Sequence, residues 1–127
     1  MDVRLYNSLG REIQLFEPLE KGKVRLYTCG PTVYDYAHIG NMRTYVFEDV
    51  LRRTLEYAGY EVHHVMNITD VGHLSGDEDD GEDKMLTGAR KTGKSVWDIA
   101  QAYTDAFFVD AERLNLRRPH IACKATD

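Results

Sequence analysis

Leu26-Tyr27-Thr28-Cys29-Gly30-Pro31-Thr32-Val33-Tyr34-Asp35-Tyr36-Ala37-His38-Ile39-Gly40-Asn41 is the stretch on which the fold turns. Its first part continues a β-rich apolar run begun at Lys23-Val24-Arg25 and stops on a cysteine and a glycine turn. A short loop then delivers His38-Ile39-Gly40-Asn41 to an amphipathic segment. Apolar residues recur there from Val46 and Phe47 through Val50, Leu51 and Leu55 to Ala58, one stripe of a helix. Asn41 is the expected N-cap and Gly59 the expected stop. Glu61-Val62-His63-His64-Val65-Met66-Asn67-Ile68 follows as a strand. Strand, helix, strand is a βαβ unit, which implies a parallel sheet with a ligand crevice at the carboxyl ends of its strands.

Working outward, residues 3–6 and 12–16 alternate apolar and polar around Asn7-Ser8-Leu9-Gly10, a β-hairpin signal. Pro18 and Gly22 separate it from the βαβ unit. On the other side, Ser95-Val96-Trp97-Asp98 has the form of a capping box and opens a helix with apolar residues at 96, 99–100, 103, 107, 111 and 114. Pro119 closes that helix's neighbourhood, and the tail after it is expected to add no closing element. The chain therefore divides into a hairpin (1–22), the βαβ unit (23–70), an acidic loop with a short helix over 83–92 (71–94), and a helix with its tail (95–127).

At 127 residues the chain can build one core. No run approaches the 18 or so apolar residues of a membrane span, and the first residues lack the apolar heart of a secretory signal, so cytoplasm is the expected compartment. Cys29 and Cys123 lie far apart and do not suggest a disulfide framework. Residues 77–83 carry six acids and no base; setting them aside moves the net charge from −5 to +1. The remainder lacks the basic stripe of a nucleic-acid binder, so DNA is not an expected partner. An open sheet edge permits self-association.

The crossover carries the chemistry. Helix N-termini offer unpaired N–H groups and about half a positive charge, which attract phosphates. Gly40 lets a ligand approach the backbone, His38 can donate to a phosphate oxygen, and Asn41 can cap the helix or bond the same anion. Alternatively, both polar residues satisfy local backbone groups. Cys29 could be a nucleophile or metal ligand, but a lone cysteine reads first as a buried structural thiol.

Three blocks in order, Tyr27-Thr28-Cys29-Gly30-Pro31-Thr32-Val33-Tyr34-Asp35, His38-Ile39-Gly40-Asn41-Met42-Arg43-Thr44 and Asn67-Ile68-Thr69-Asp70, resemble the cysteinyl-tRNA synthetase family of class I aminoacyl-tRNA synthetases. Leu5-Tyr6-Asn7-Ser8-Leu9 and Leu114 through Thr126 extend the likeness over the whole chain. The resemblance implies an α/β Rossmann-type (HUP-like) half-domain with an N-terminal β-hairpin. It implies ATP-dependent cysteine activation through an adenylate, then transfer to tRNA, with Mg²⁺ accompanying ATP. Cys29 would be one of four ligands of a Zn²⁺ ion that takes the substrate thiolate, a bond zinc prefers to one with a serine hydroxyl. His38 and Asn41 would be catalytic and, with Thr32, Gly40 and Thr44, hold ATP. Cys29, Gly30, Thr32, Thr44, Asn67 and Thr69 would line the cysteinyl-adenylate pocket. Asn41 stands where the family signature has histidine. The family's other zinc ligands, its second ATP-binding loop and its anticodon-binding helices lie beyond residue 127, so this chain alone should activate cysteine poorly.

Other readings compete. The same adenylating scaffold serves an amino-sugar acceptor in mycothiol synthesis, and a non-catalytic nucleotide- or partner-binding remnant would also carry these motifs. Gly88-Ala89-Arg90-Lys91-Thr92-Gly93-Lys94-Ser95 matches a phosphate-binding loop letter for letter, but it lacks the preceding buried strand, and Ser95 is better used as an N-cap. Residues 77–88 fail the EF-hand pattern, with Glu82 where glycine and Gly88 where glutamate is required. His63, His64, His73 and His120 lack metal-ligand spacing, and adjacent His63 and His64 should point to opposite faces of their strand.

Overall fold

The computed structural model describes residues 1–71, 90, 93 and 95–127. β1 (Arg4–Asn7) and β2 (Glu12–Leu15) form an antiparallel hairpin, with Asn7 opposite Glu12. The Asn7 Oδ1 accepts the Leu9 N–H at 3.0 Å and steadies the turn, while Arg11 takes the left-handed conformation at φ 54°.

β3 (Lys23–Thr28), α1 (Ile39–Tyr57), β4 (Glu61–Ile68), α2 (Val96–Arg113) and β5 (Ile121–Lys124) complete the chain. The three later strands form one sheet in the order β3-β4-β5, and both neighbouring pairs are parallel. The expected α/β parallel sheet with its N-terminal hairpin is the fold observed. Gly59 ends α1 at φ 96°, and Ser95 caps α2 with Asp98, its Oγ accepting the Asp98 N–H at 3.1 Å. Gly93 takes a turn conformation at φ 67°. The acidic run, the helix expected over 83–92, His73 and most of the phosphate-loop match lie outside the described residues.

Val62, His64, Met66 and Ile68 alternate along β4 and are buried beneath both helices. Val62 packs with Leu55 of α1, Met66 with Tyr45 of α1 and Phe107 of α2, and Ile68 with Ile99 and Ala100 of α2. The Tyr45 and Phe107 rings meet edge to face at 4.9 Å. Helices on one face follow when successive crossovers of the same hand step in the same direction.

Two expectations are corrected here. First, α1 turns only the second half of its apolar stripe inward: Leu51, Leu55 and Ala58 meet the core, and the first half does not. Val46, Phe47 and Val50 are exposed, Phe47 at 69%, while Met42, Tyr45, Glu48, Asp49, Arg52 and Leu55 are buried. The inward charges have partners that fix this rotation. The Arg117 N–H donates to Asp49 Oδ1 at 2.9 Å, and Arg52 donates to Glu56 Oε1 and to the Arg118 carbonyl, each at 2.9 Å. Arg53 bonds Asp49 Oδ2 and the Asn115 carbonyl. Buried charge survives only with such partners. Second, those bonds lash residues 115–118 to α1 and aim the tail back along β4, where Ile121–Lys124 adds the unexpected strand β5. Four half-exposed residues carry no periodic signal of their own; pairing with β4 makes them a strand.

Candidate functional site

The β3 ladder ends where Thr28 pairs with Met66, and regular pairing resumes only at the Thr32–Thr69 bridge. Cys29, Gly30 and Pro31 lie between these points, with Thr69 N–H donating to Pro31 O at 2.9 Å and Val33 N–H to Thr69 O at 3.0 Å. Gly30 passes so close to β4 that a Cβ there would overlap the Asn67 carbonyl oxygen and stand 2.7 Å from Met66 Cγ. Its N–H donates to Asn67 Oδ1 at 3.1 Å, and Asn67 Nδ2 donates to Thr69 Oγ1 at 3.0 Å. Gly30, Asn67 and Thr69 are thus one linked group beside Cys29. The Cys29 thiol is free and exposed, which corrects the simplest view of it as a buried structural sulfur. Cys123 is the half-buried one, its thiol 3.7 Å from the Met66 carbonyl oxygen.

The helix begins earlier than Asn41. His38 is the N-cap, its Nδ1 accepting the Gly40 N–H at 3.1 Å, while Asn41 Oδ1 accepts the His38 N–H at 3.0 Å. Asparagine outranks histidine as an isolated cap, so the sequence favours Asn41, but the pair caps reciprocally once the loop brings both together. Two consequences follow for chemistry. With Nδ1 occupied as an acceptor, His38 carries its proton on Nε2, which is left to donate. With Oδ1 occupied, Asn41 keeps its NH₂ donors. Gly40 also leaves room for the capping ring: His38 Cε1 lies only 2.9 Å from where a Cβ would stand.

Thr32, His38 and Asn41 line one small pocket of about 110 Å³ with Tyr34, Asp35, Tyr36 and Tyr45. Cys29, Gly30, Gly40, Thr44, Asn67 and Thr69 do not line it; Thr44 is exposed further along α1. The two groups join through the Thr32–Thr69 bridge and through Tyr45. That phenol lines the pocket, and burial first, then the nearby charges of Glu48 and Cys29, push its pKa up to about 12.

Behind Cys29 lies a buried polar cluster that sequence reading missed. Thr28 Oγ1 and His64 Nε2 are 2.9 Å apart, and the buried Glu48 of α1 stands beside Thr28. Burial raises the Glu48 pKa against a smaller lowering by the Thr28 hydroxyl. Burial, Arg52 and His120 push His64 down to about 4. His63, by contrast, is exposed and stacks on His120 at 5.1 Å. The two adjacent histidines do face opposite ways, but only β4's alternation could have marked His64 as interior.

Among the described residues, no three His, Cys, Asp or Glu side chains converge into a metal site. Cys29, free and exposed, suits a single soft ligand in a larger set. None of the described helices is long and apolar enough to cross a membrane.

Comparison with known proteins gives a consistent result. Residues 15–127 match the family described as the tRNA synthetases class I (C) catalytic domain. All 127 residues align at 61% identity with a cysteine–tRNA ligase of Treponema denticola and cover 26% of it. They align at 59% identity with cysteine–tRNA ligase 1 of Burkholderia lata, covering 27% of it. A Borreliella burgdorferi cysteine–tRNA ligase is 51% identical over 119 residues, which are 94% of this chain and 24% of that protein. The chain thus spans about a quarter of the length of the curated relatives it matches.

Proposed function

Since this chain belongs to the family of class I (C) tRNA synthetase catalytic domains, we propose that it supplies the ATP- and cysteine-binding part of a cysteine–tRNA ligase. The reaction joins the cysteine carboxylate to the α-phosphorus of ATP, expels pyrophosphate, and then transfers the cysteinyl group to a hydroxyl of tRNA with release of AMP. Three of its relatives carry that ligase's name at 51–61% identity, which supports tRNA over an amino sugar as acceptor. An ATP-consuming ligase with two free thiols suits the cytoplasm.

The observation that carries this function is the pairing of two features: donors on His38 and Asn41 at the mouth of α1, and an exposed thiol at the end of β3. His38 Nε2–H and the Asn41 amide stand at a helix N-terminus, where negative charge is already favoured. They would bind ATP phosphate oxygens and strengthen as charge builds during attack, with Thr32 lining the same pocket. Gly40 holds the His38 ring in place, and Thr44 would reach the nucleotide from the next turn. Cys29 would serve as one ligand of a zinc ion, and Gly30, Asn67 and Thr69 would shape the floor under the amino acid. Zinc, when bound, would favour a substrate thiolate over a hydroxyl. Mg²⁺ would arrive with ATP.

The test is cysteine-dependent ATP–pyrophosphate exchange and cysteine charging of tRNA by the whole polypeptide that carries this chain. Cys29→Ala should lose selective activation of cysteine. Unchanged cysteine affinity in that variant would refute the zinc role, and exchange that ignores cysteine would refute the ligase.

A further inference from the structure

The ladder of β3 stops at Thr28, one residue before the cysteine, so the sheet's own hydrogen bonds do not set the course of Cys29. Two side-chain bonds flank it instead. Downstream, the Gly30 N–H is held by Asn67 Oδ1 at 3.1 Å. Upstream, the Thr28 side chain points inward and is held by His64 of β4, with the buried Glu48 of α1 beside it. Thr28, Glu48 and His64 are 8%, 8% and 3% exposed.

The polarity of this trio is consistent. A hydroxyl has one proton and two lone pairs, so Thr28 can accept from His64 Nε2–H while donating to the Glu48 carboxylate. Among the described residues no second partner offsets a loss there: Glu48 Oε2 and His64 Nδ1 are buried without one. Removing the hydroxyl would leave the imidazole unsatisfied beside a buried carboxyl, directly behind the cysteine. A β-branched apolar residue would satisfy the strand at least as well, so β-sheet propensity does not call for a hydroxyl.

We infer that Thr28 is a positioning residue, clamped by His64, that fixes the direction of the Cys29 thiol and thereby the affinity for cysteine. The inference rests on the ligase function proposed above. Thr28 touches neither substrate nor nucleotide; it acts through the residue beside it.

Thr28→Val keeps the shape and removes the hydroxyl, whereas Thr28→Ser restores it. In ATP–pyrophosphate exchange by the whole polypeptide, Thr28→Val should raise KM for cysteine about tenfold, with KM for ATP unchanged within about twofold. Thr28→Ser should return cysteine KM to the parent value. A separate readout uses the 127-residue chain. Amide hydrogen exchange at Gly30 should quicken about tenfold in Thr28→Val, and the hairpin amides of β1 and β2 should not change. Should Thr28→Val fail to fold, His64→Phe removes the same bond from β4 without altering β3 and should give the same split. An unmoved cysteine KM, or cysteine and ATP KM rising in step, overturns the inference while Cys29→Ala still abolishes selective activation. Cys29→Ala that keeps cysteine selection overturns the proposed role of Cys29, and with it the purpose assigned to the clamp.

Discussion

Acidification should unfold this protein partly through one imidazole. His64 is 3% exposed, and burial, with Arg52 and His120 nearby, holds its pKa at about 4 against an ordinary 6.5. The folded state therefore resists a proton that the unfolded chain accepts. Stability from this group is complete above the unfolded value of 6.5 and falls as pH drops toward 4. The penalty levels off below 4, once both states are protonated. The loss should reach about 1 kcal/mol at pH 5.5 and about 3 kcal/mol at pH 4. Because many carboxylates titrate over the same range, the quantity to measure is a difference. Urea unfolding, followed by circular dichroism from pH 7.5 to 4, would be compared between the parent and His64→Gln, which cannot take up the proton. The parent should lose about 3 kcal/mol more than the variant over that range. Parallel curves would show that His64 accepts a proton in the folded state as easily as in the unfolded chain, and would refute the account of the buried trio.

Gly30→Ala should destabilise the chain by at least about 2 kcal/mol, read by thermal melting, because its Cβ would collide with the Asn67 carbonyl oxygen; a melt like the parent's would show that the strand ends separate freely. His38→Ala should remove about 1 kcal/mol by loss of the cap and slow adenylate formation in the whole polypeptide about a hundredfold. His38→Asn should regain the stability without the rate, since its amide can cap α1 but has no Nε2–H; recovery of both would deny the donor its role. Arg52→Met should weaken folding by about 2–3 kcal/mol, since it removes bonds to Glu56 and to the Arg118 carbonyl. In that variant, amide exchange should rise first along β5, and uniform exchange would contradict the link from Arg52 to the tail.

The parallel βαβ unit, the limits of β4, the Gly59 stop and the Ser95 capping box could all be read from the chain, because each depends on residues a few positions apart. The cysteine and the His38–Asn41 box were legible for the same reason: their spacing along the chain places them at a strand end and a helix start. What could not be read depends on partners distant in sequence. A helical period shows that α1 has a stripe, but the side it turns inward was decided by Asp49, Arg52 and Arg53 bonding residues 115–118. The same bonds made a strand of Ile121–Lys124, a stretch too short to declare itself. The Thr28–His64 bond spans 36 residues: β4's alternation can mark His64 as interior, but no local pattern shows which hydroxyl it will meet. Local geometry is fixed by the backbone's short-range preferences, so the sequence alone determined the motif and the elements other than β5. Burial of charge is permitted only where a distant group arrives to neutralise it, so only the tertiary structure decided which residues stand behind the site.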